Sequence, residues 1–156
     1  MAQNNAFVVG QTLTAAEMNL LPFGVCDTAG SSSTYTLTTS LVQATGMTVT
    51  FTADSTRVYK ITYYEPQCQT STAASYINLQ LRDTSAAGTQ LQSTFVQNET
   101  AVSTTTGQTV IFIGSFAAGS TTVYPCALTS TITGTPRLVH SGTTRAFIIV
   151  EDVGPT

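Results

Sequence analysis

The residues of this chain best suited by type to chemistry are one histidine, three cysteines and an adjacent carboxylate pair. A histidine acting as general base needs a nucleophile within reach and a carboxylate that orients its ring. No motif around His140 supplies either, so it reads as a loop or strand-edge residue. Glu151 and Asp152 invite comparison with the paired carboxylates of glycosidases. Neighbours on an extended segment point to opposite sides, however, so these two cannot flank one bond. They read instead as hydrating a chain end or pairing with an arginine such as Arg145. Cys26, Cys68 and Cys126 are far apart and include no C-x-x-C pair, which excludes the usual zinc and redox motifs. Two readings stay open for them: one bridge with a leftover thiol, or three buried thiols packed as small hydrophobes, the second being favoured. There is no G-x-S-x-G, H-E-x-x-H or P-loop pattern. Asp27, Asp54, Glu65, Asp83 and Glu99 are scattered without calcium-loop spacing. The expectation is a protein that is not an enzyme, with no catalytic residue, no cofactor and no metal site.

Composition narrows the classes further. The 156 residues suffice for one domain with a continuous core and no staples. Charged residues make up only 8%, against roughly 25% in an ordinary soluble domain. Solvation therefore falls to the hydroxyls and amides that crowd the chain from Thr34 to Thr144. Hydrophobic residues reach 42%, which argues against disorder. With a net charge of -3 and only Arg57, Lys60, Arg82, Arg137 and Arg145 positive, no basic stripe exists to neutralise a nucleic-acid backbone. Low charge on a well-packed chain points to surface covered by neighbouring subunits. No stretch approaches the roughly 18 apolar residues of a membrane helix. The opening MAQNNAFVVG lacks the basic and apolar regions of a signal peptide, so export by that route is not expected and Asn98-Glu99-Thr100 reads as a chance glycosylation match.

The elements that would position these residues follow from periodicity. From Thr34 onward, apolar residues alternate with polar ones at period two, the pattern of strands that bury one face. Val49, Phe51 and Ala53 lead through Asp54-Ser55 to Tyr59, Ile61 and Tyr63, which reads as a hairpin. Ile77, Leu79 and Leu81 lead through Ala86-Ala87-Gly88 to Leu91, Ser93 and Phe95, a second hairpin. Ala146 to Val150 is apolar on both faces and reads as a central strand. About eight strands without an alternating helix predict an all-β fold, an antiparallel β-sandwich or jelly roll.

The first residues differ in kind, so the chain divides into an arm with linker, residues 1–33, and a β-sandwich domain, residues 34–156. Thr14-Ala15-Ala16-Glu17 is a capping box that starts a short helix, and Pro22 bars its continuation. A helix of at most two turns is marginal alone, so its apolar side chains must dock. Leu13, Thr14, Glu17, Met18, Leu20, Leu21 and Phe23 are the candidate interface residues of the arm. In the domain, Arg82, Arg137 and Arg145 are either ordinary surface charges or carboxylate-binding residues at a subunit interface. The six tyrosines read as core residues with a polar tip or as interface anchors.

Two passages resemble virion proteins of tailed bacteriophages. Gly10-Gln11-Thr12-Leu13-Thr14-Ala15-Ala16-Glu17-Met18-Asn19 is similar to a G-x-x-L-T-A-x-x-x-N opening of small virion proteins. Phe147 to Pro155, with Val150-Glu151-Asp152-Val153-Gly154-Pro155, is similar to the VEDIGP ending of head-decoration, fibre and minor tail proteins. The stretch from Tyr59 to Tyr63 and then Ile77 to Arg82 resembles the trimeric jelly rolls of tumour-necrosis-factor and C1q domains. These resemblances imply a capsid decoration, or cement, protein that sits as a homotrimer on the major capsid protein and stabilises the shell. Its place would be the capsid surface of a virion assembled in the host cytoplasm, without direct contact to nucleic acid or membrane. The absence of a fibre shaft or repeat sets this above the alternative, a tail or fibre-tip module that binds a receptor or carbohydrate.

Overall fold

The structure, a computed structural model, describes residues 14–44, 46–99 and 104–156, and within them the alternating residues form eleven strands. Three of these are two-residue pieces, at residues 35–36, 42–43 and 137–138. The strands make two antiparallel sheets that face each other across the core, the architecture of a β-sandwich. In the first sheet β1 (Gly24–Ser31) lies beside β11 (Ala146–Pro155), and β11 lies beside β5 (Arg57–Thr70). The far side of β5 carries β8 (Thr104–Gly114). Past the start of β11, the short β10 (Arg137–Leu138) continues along β5 and carries β2 (Tyr35–Thr36). In the second sheet β7 (Gln90–Asn98) pairs with β6 (Ser75–Asp83), which pairs with β9 (Gly119–Thr129). β3 (Val42–Gln43) and β4 (Val49–Ala53) follow one another along the other side of β9.

Period-two alternation sorts the side chains. Tyr59, Ile61 and Tyr63 of β5, Ile77, Leu79 and Leu81 of β6, and Ile148 and Val150 of β11 point inward and are almost wholly buried, with Met47, Val49 and Val123 beside them. Phe51, Tyr59, Phe112 and Phe116 form an aromatic cluster with ring centroids 4.9 to 6.1 Å apart. Near β1, the carboxylate of Asp27 accepts the Thr50 N–H at 2.7 Å and ties the two sheets together.

The second expected hairpin forms: β6 and β7 pair around residues 84–89 as their turn residues imply. The turn at Asp54-Ser55 does something else. The Arg57 N–H donates to the Asp54 carbonyl at 3.0 Å, but β4 belongs to the second sheet and β5 to the first. The segment is thus a crossing between layers and not a hairpin. β11 is central as its two apolar faces predict, flanked by β1 and β5. Residues 24–31, inside the stretch read as arm and linker, are strand β1 and run along β11 from Asp152 to Ala146. The helix of the arm is one turn, α1 (Ala15–Met18), with the Thr14 and Glu17 capping box in place.

One irregularity positions a buried polar group. In β5, Glu65 pairs with Gln108 and Cys68 with Thr106, so Pro66 and Gln67 bulge opposite Gly107. Proline has no N–H to give the ladder, which suits it to this place. A Cβ on Gly107 would stand 3.0 Å from the Pro66 carbonyl oxygen, so glycine admits the close approach.

Candidate functional site

The inward alternation of β5 does not stop at apolar residues: Arg57 and Glu65 occupy inward positions and are buried, one at the start of the strand and one just before its bulge. The side chains of Glu65 and His140 are both fully buried, and His140 Nε2 lies 2.9 Å from each carboxylate oxygen. The Tyr63 hydroxyl donates to Glu65 Oε2 at 2.9 Å, and the Gln67 N–H, turned inward by the bulge, donates to Oε1 at 3.3 Å. Tyr35 meets the His140 ring edge-on at 5.5 Å. Burial, and then the Glu65 charge, push the Tyr63 hydroxyl well above its ordinary value, so it remains a donor. His140 follows β10 in a loop, as expected from sequence, but its side chain turns into the core. Its Nδ1 is buried without a partner. With no side-chain surface of Glu65 or His140 left to solvent, the trio acts as a packed polar knot rather than as a base poised over substrate.

At the start of β5, Arg57 gathers the arm. Its Nε and Nη2 bind the two oxygens of buried Asp152, Nη1 donates to the Asn19 carbonyl at 2.6 Å, and Nη2 also donates to the Leu21 carbonyl at 2.6 Å. The guanidinium lies 3.7 Å from the Phe23 ring centroid. Burial pushes the Asp152 carboxyl up, but the Arg57 hydrogen bond and charge, with the N–H groups of Gly154 and Phe23, outweigh it and leave it below the ordinary value. Adjacent Glu151 points outward and pairs with Lys60 at 3.1 Å. The two carboxylates thus diverge as alternation requires, but their partners are Lys60 and Arg57, not Arg145.

Of the arm residues expected at an interface, Leu13 lies outside the described residues. Thr14 and Glu17 serve the capping box, while Met18, Leu20, Leu21 and Phe23 remain exposed. The three expected domain arginines are not brought together, and none forms an ion pair among the described residues. Arg82 donates to Gln80 Oε1 at 2.8 Å and to the Gly88 carbonyl at 2.6 Å, holding the β6–β7 turn. Arg137 binds Gln69. Arg145 borders a shallow groove over β1 and β11 lined also by Thr28, Gly30, Phe147 and Ile149. Cys68 and Cys126 are buried free thiols, whereas Cys26 is an exposed free thiol, so only two of the three pack as core residues. Burial pushes Cys126 up to about 11.

The outer faces of the two sheets carry most of the exposed large apolar side chains outside the arm. On the first sheet the register lines up Phe147, Tyr64 and Thr109, then Ile149, Thr62 and Ile111, then Glu151, Lys60 and Ile113. Phe147, Ile111 and Ile113 are 44%, 46% and 64% exposed. Val25 and Val153 add exposed aliphatic surface at the end nearer the arm. Thr62 Oγ1, in the middle of this face, is covered and has no hydrogen-bond partner. The outer face of the second sheet differs: Tyr76 and Phe95 stand in contact, ring centroids 5.4 Å apart at 81°, among neutral polar residues. No group of three or more potential metal ligands occurs among the described residues.

No family model matches the chain, and no curated protein matches it. Among solved structures it is similar to the globular domain of zebrafish complement 1qA protein, with 14% identity and a TM-score of 0.42, over 82% of this chain and 96% of that one. It is also similar to a protein of the Bacillus endospore appendages, described as a family of disulfide-linked pili, with 16% identity and a TM-score of 0.27, over 85% of this chain and 99% of that one.

Proposed function

We propose that this chain is a structural subunit that associates with copies of itself through the outer face of the first sheet, and that it serves as a trimeric decoration protein on a bacteriophage head. The observation that carries the self-association is the exposed apolar character of that face, aromatic at the Phe147–Tyr64 pair and aliphatic at Ile111 and Ile113. Phe147, Ile111 and Ile113 are set in adjacent rows with a single ion pair, Lys60 to Glu151, beside them. An exposed large apolar patch marks an association site far more than scattered apolar residues do. Closed symmetric assembly of one patch type leaves no sticky surface over. The exposed row of Met18, Leu20, Leu21 and Phe23, held at one end of the sandwich by Arg57, would then contact a neighbouring capsid subunit. The phage assignment and the three-fold state are supported by the resemblance of the two chain ends and of the strand pattern to virion and jelly-roll proteins.

Sedimentation equilibrium tests the first part. The wild type is expected as one discrete oligomer, with Ile113→Lys giving a monomer of unchanged circular dichroism. A wild type that is monomeric at tens of micromolar overturns self-association. For the second part, particles lacking the protein should lose resistance to heat, and a labelled copy should decorate the head. Unchanged particle stability removes the cement role, and label on the tail selects the receptor-binding alternative.

A further inference from the structure

Five basic and eight acidic side chains are few for 156 residues, and the fold engages all but two of them among the described residues. Arg57 pairs with Asp152, Lys60 with Glu151, and Glu65 faces His140. Arg82 and Arg137 donate to Gln80 and Gln69. Glu17, Asp27, Asp54 and Asp83 each accept a backbone N–H nearby. The two left over are Arg145 and Glu99, one cation and one anion, both exposed. Arg145 stands just before β11, at the rim of the groove over β1 and β11. Glu99 follows β7, which packs against β8 from the other sheet. β11 and β8 lie on opposite sides of β5, roughly 10 Å apart at the usual strand spacing, so the two charges occupy opposite flanks and do not meet within the molecule. Along the strands, however, they share an end. β11 runs from Arg145 toward the Asp152 that holds the arm through Arg57. β7 begins at the arm end too, because Asp83 pairs with Val123 on the same stretch of β9 where Ala53, one turn before Arg57, pairs with Gly119. Arg145 and Glu99 therefore both lie away from the arm.

We infer that Arg145 of one copy pairs with Glu99 of the next, which sets the copies side by side in parallel with all their arms at one end. This rests on the self-association proposed above and adds its orientation. In copies packed side by side, an antiparallel arrangement would put Arg145 at the arm end of its neighbour, where Asp54 and Asp83 already accept N–H groups of their own turns. Parallel copies bring the one uncommitted guanidinium to the one uncommitted carboxylate, and the guanidinium fork matches carboxylate geometry. The same two flanks also carry apolar surface that can meet. Ile111 and Ile113 project from β8 on one, and the register puts Ile111 level with Ile149, which lines the groove on the other. Apolar burial supplies the affinity of such a contact, and the charge pair supplies its orientation, since a misplaced copy would set like charges together. Arms gathered at one end would all face a single surface, as attachment to a shell requires.

Sedimentation equilibrium of the full chain tests it. Arg145→Glu and Glu99→Arg should each raise the dissociation constant of the oligomer at least about tenfold, because each sets two like charges together at every contact. The double variant, with the two charges exchanged, should return to within about threefold of wild type. Both residues are exposed, so circular dichroism should be the same for all four proteins. A monomeric wild type overturns the self-association and this inference together. An oligomeric wild type whose assembly is indifferent to Arg145→Glu, or a double variant no better than the single ones, overturns this inference and leaves self-association standing. Rescue of Arg145→Glu by Asp54→Lys, at the arm end, would mean that the copies run antiparallel and overturns it as well.

Discussion

Removing the Arg57 guanidinium should cost much more stability than removing the half-exposed charge of Lys60, because of where its partner is left. Arg57→Ala withdraws donors from four acceptors: the two Asp152 oxygens and the carbonyls of Asn19 and Leu21. The two carbonyls belong to exposed residues, so water replaces the lost bonds at little cost. Asp152 is 2% exposed and keeps from its own strand the Gly154 N–H at 2.9 Å. Breaking one side of a buried pair costs about 3–5 kcal/mol, and with these compensations we expect about 3 kcal/mol. At roughly 2–4 °C per kcal/mol for a chain of this size, the melting temperature falls by about 6–12 °C. Urea denaturation at fixed protein concentration, with calorimetry, measures both. Arg57→Met combined with Asp152→Leu should recover to within about 1 kcal/mol of wild type, since a buried pair is often replaceable by apolar residues of similar volume. Lys60→Ala, at the half-exposed pair with Glu151, should cost at most about 1 kcal/mol. A loss below about 1 kcal/mol for Arg57→Ala, or a double variant as unstable as the two single losses summed, would refute the reasoning.

The remaining predictions concern acid, the buried knot, the thiols and one turn. Because the folded state lowers the Asp152 carboxyl, its contribution is complete above the unfolded value of about 3.9 and is lost as pH falls through the folded value. Chemical denaturation from pH 6 down to pH 2 should therefore show a shallower loss for Asp152→Asn than for wild type, and equal slopes would contradict the linkage. His140→Ala leaves the fully buried Glu65 with only Tyr63 and the Gln67 N–H, and should destabilise by about 2–4 kcal/mol in urea. Titration with a thiol reagent should modify Cys26 promptly and Cys68 and Cys126 only after denaturation; three equally fast thiols would mean that the core opens readily. Gly88→Ala sets a Cβ 1.8 Å from the Asp83 carbonyl oxygen, so the β6–β7 turn must shift at a cost of about 1–3 kcal/mol, read as a lowered urea midpoint.

Much of the sandwich is legible in the chain because burial on one face imposes period two. Ile77, Leu79 and Leu81 announce β6, and the Ala86-Ala87-Gly88 turn announces its return as β7. Turn residues do not reveal whether the chain returns in the same layer or crosses to the other. Asp54-Ser55 makes the crossing with the same local chemistry that a hairpin would use. The buried polar groups are partly visible: Arg57 and Glu65 continue the parity of Tyr59, Ile61 and Tyr63, which marks them as inward-facing. Their partners are not, because Asp152 is 95 residues from Arg57 and His140 is 75 residues from Glu65, and no local pattern joins such positions. The apolar outer face of the first sheet is likewise hidden. Phe147, Ile111 and Ile113 come from strands that only the pairing of β11 and β8 on either side of β5 brings together.

The position of β11 between β1 and β5 carries a consequence for biosynthesis. It is the last strand in chain order, yet it fills a slot whose two walls are made much earlier. Until residues 146–155 leave the ribosome, β1 and one edge of β5 have no ladder partner, and the Asp152 that receives Arg57 is missing. Nascent chains halted before that point would present two open edges of the kind that invite pairing between molecules. Nascent chains that lack residues 146–155 should therefore be aggregation-prone, and the first sheet should close once that strand is free to pair.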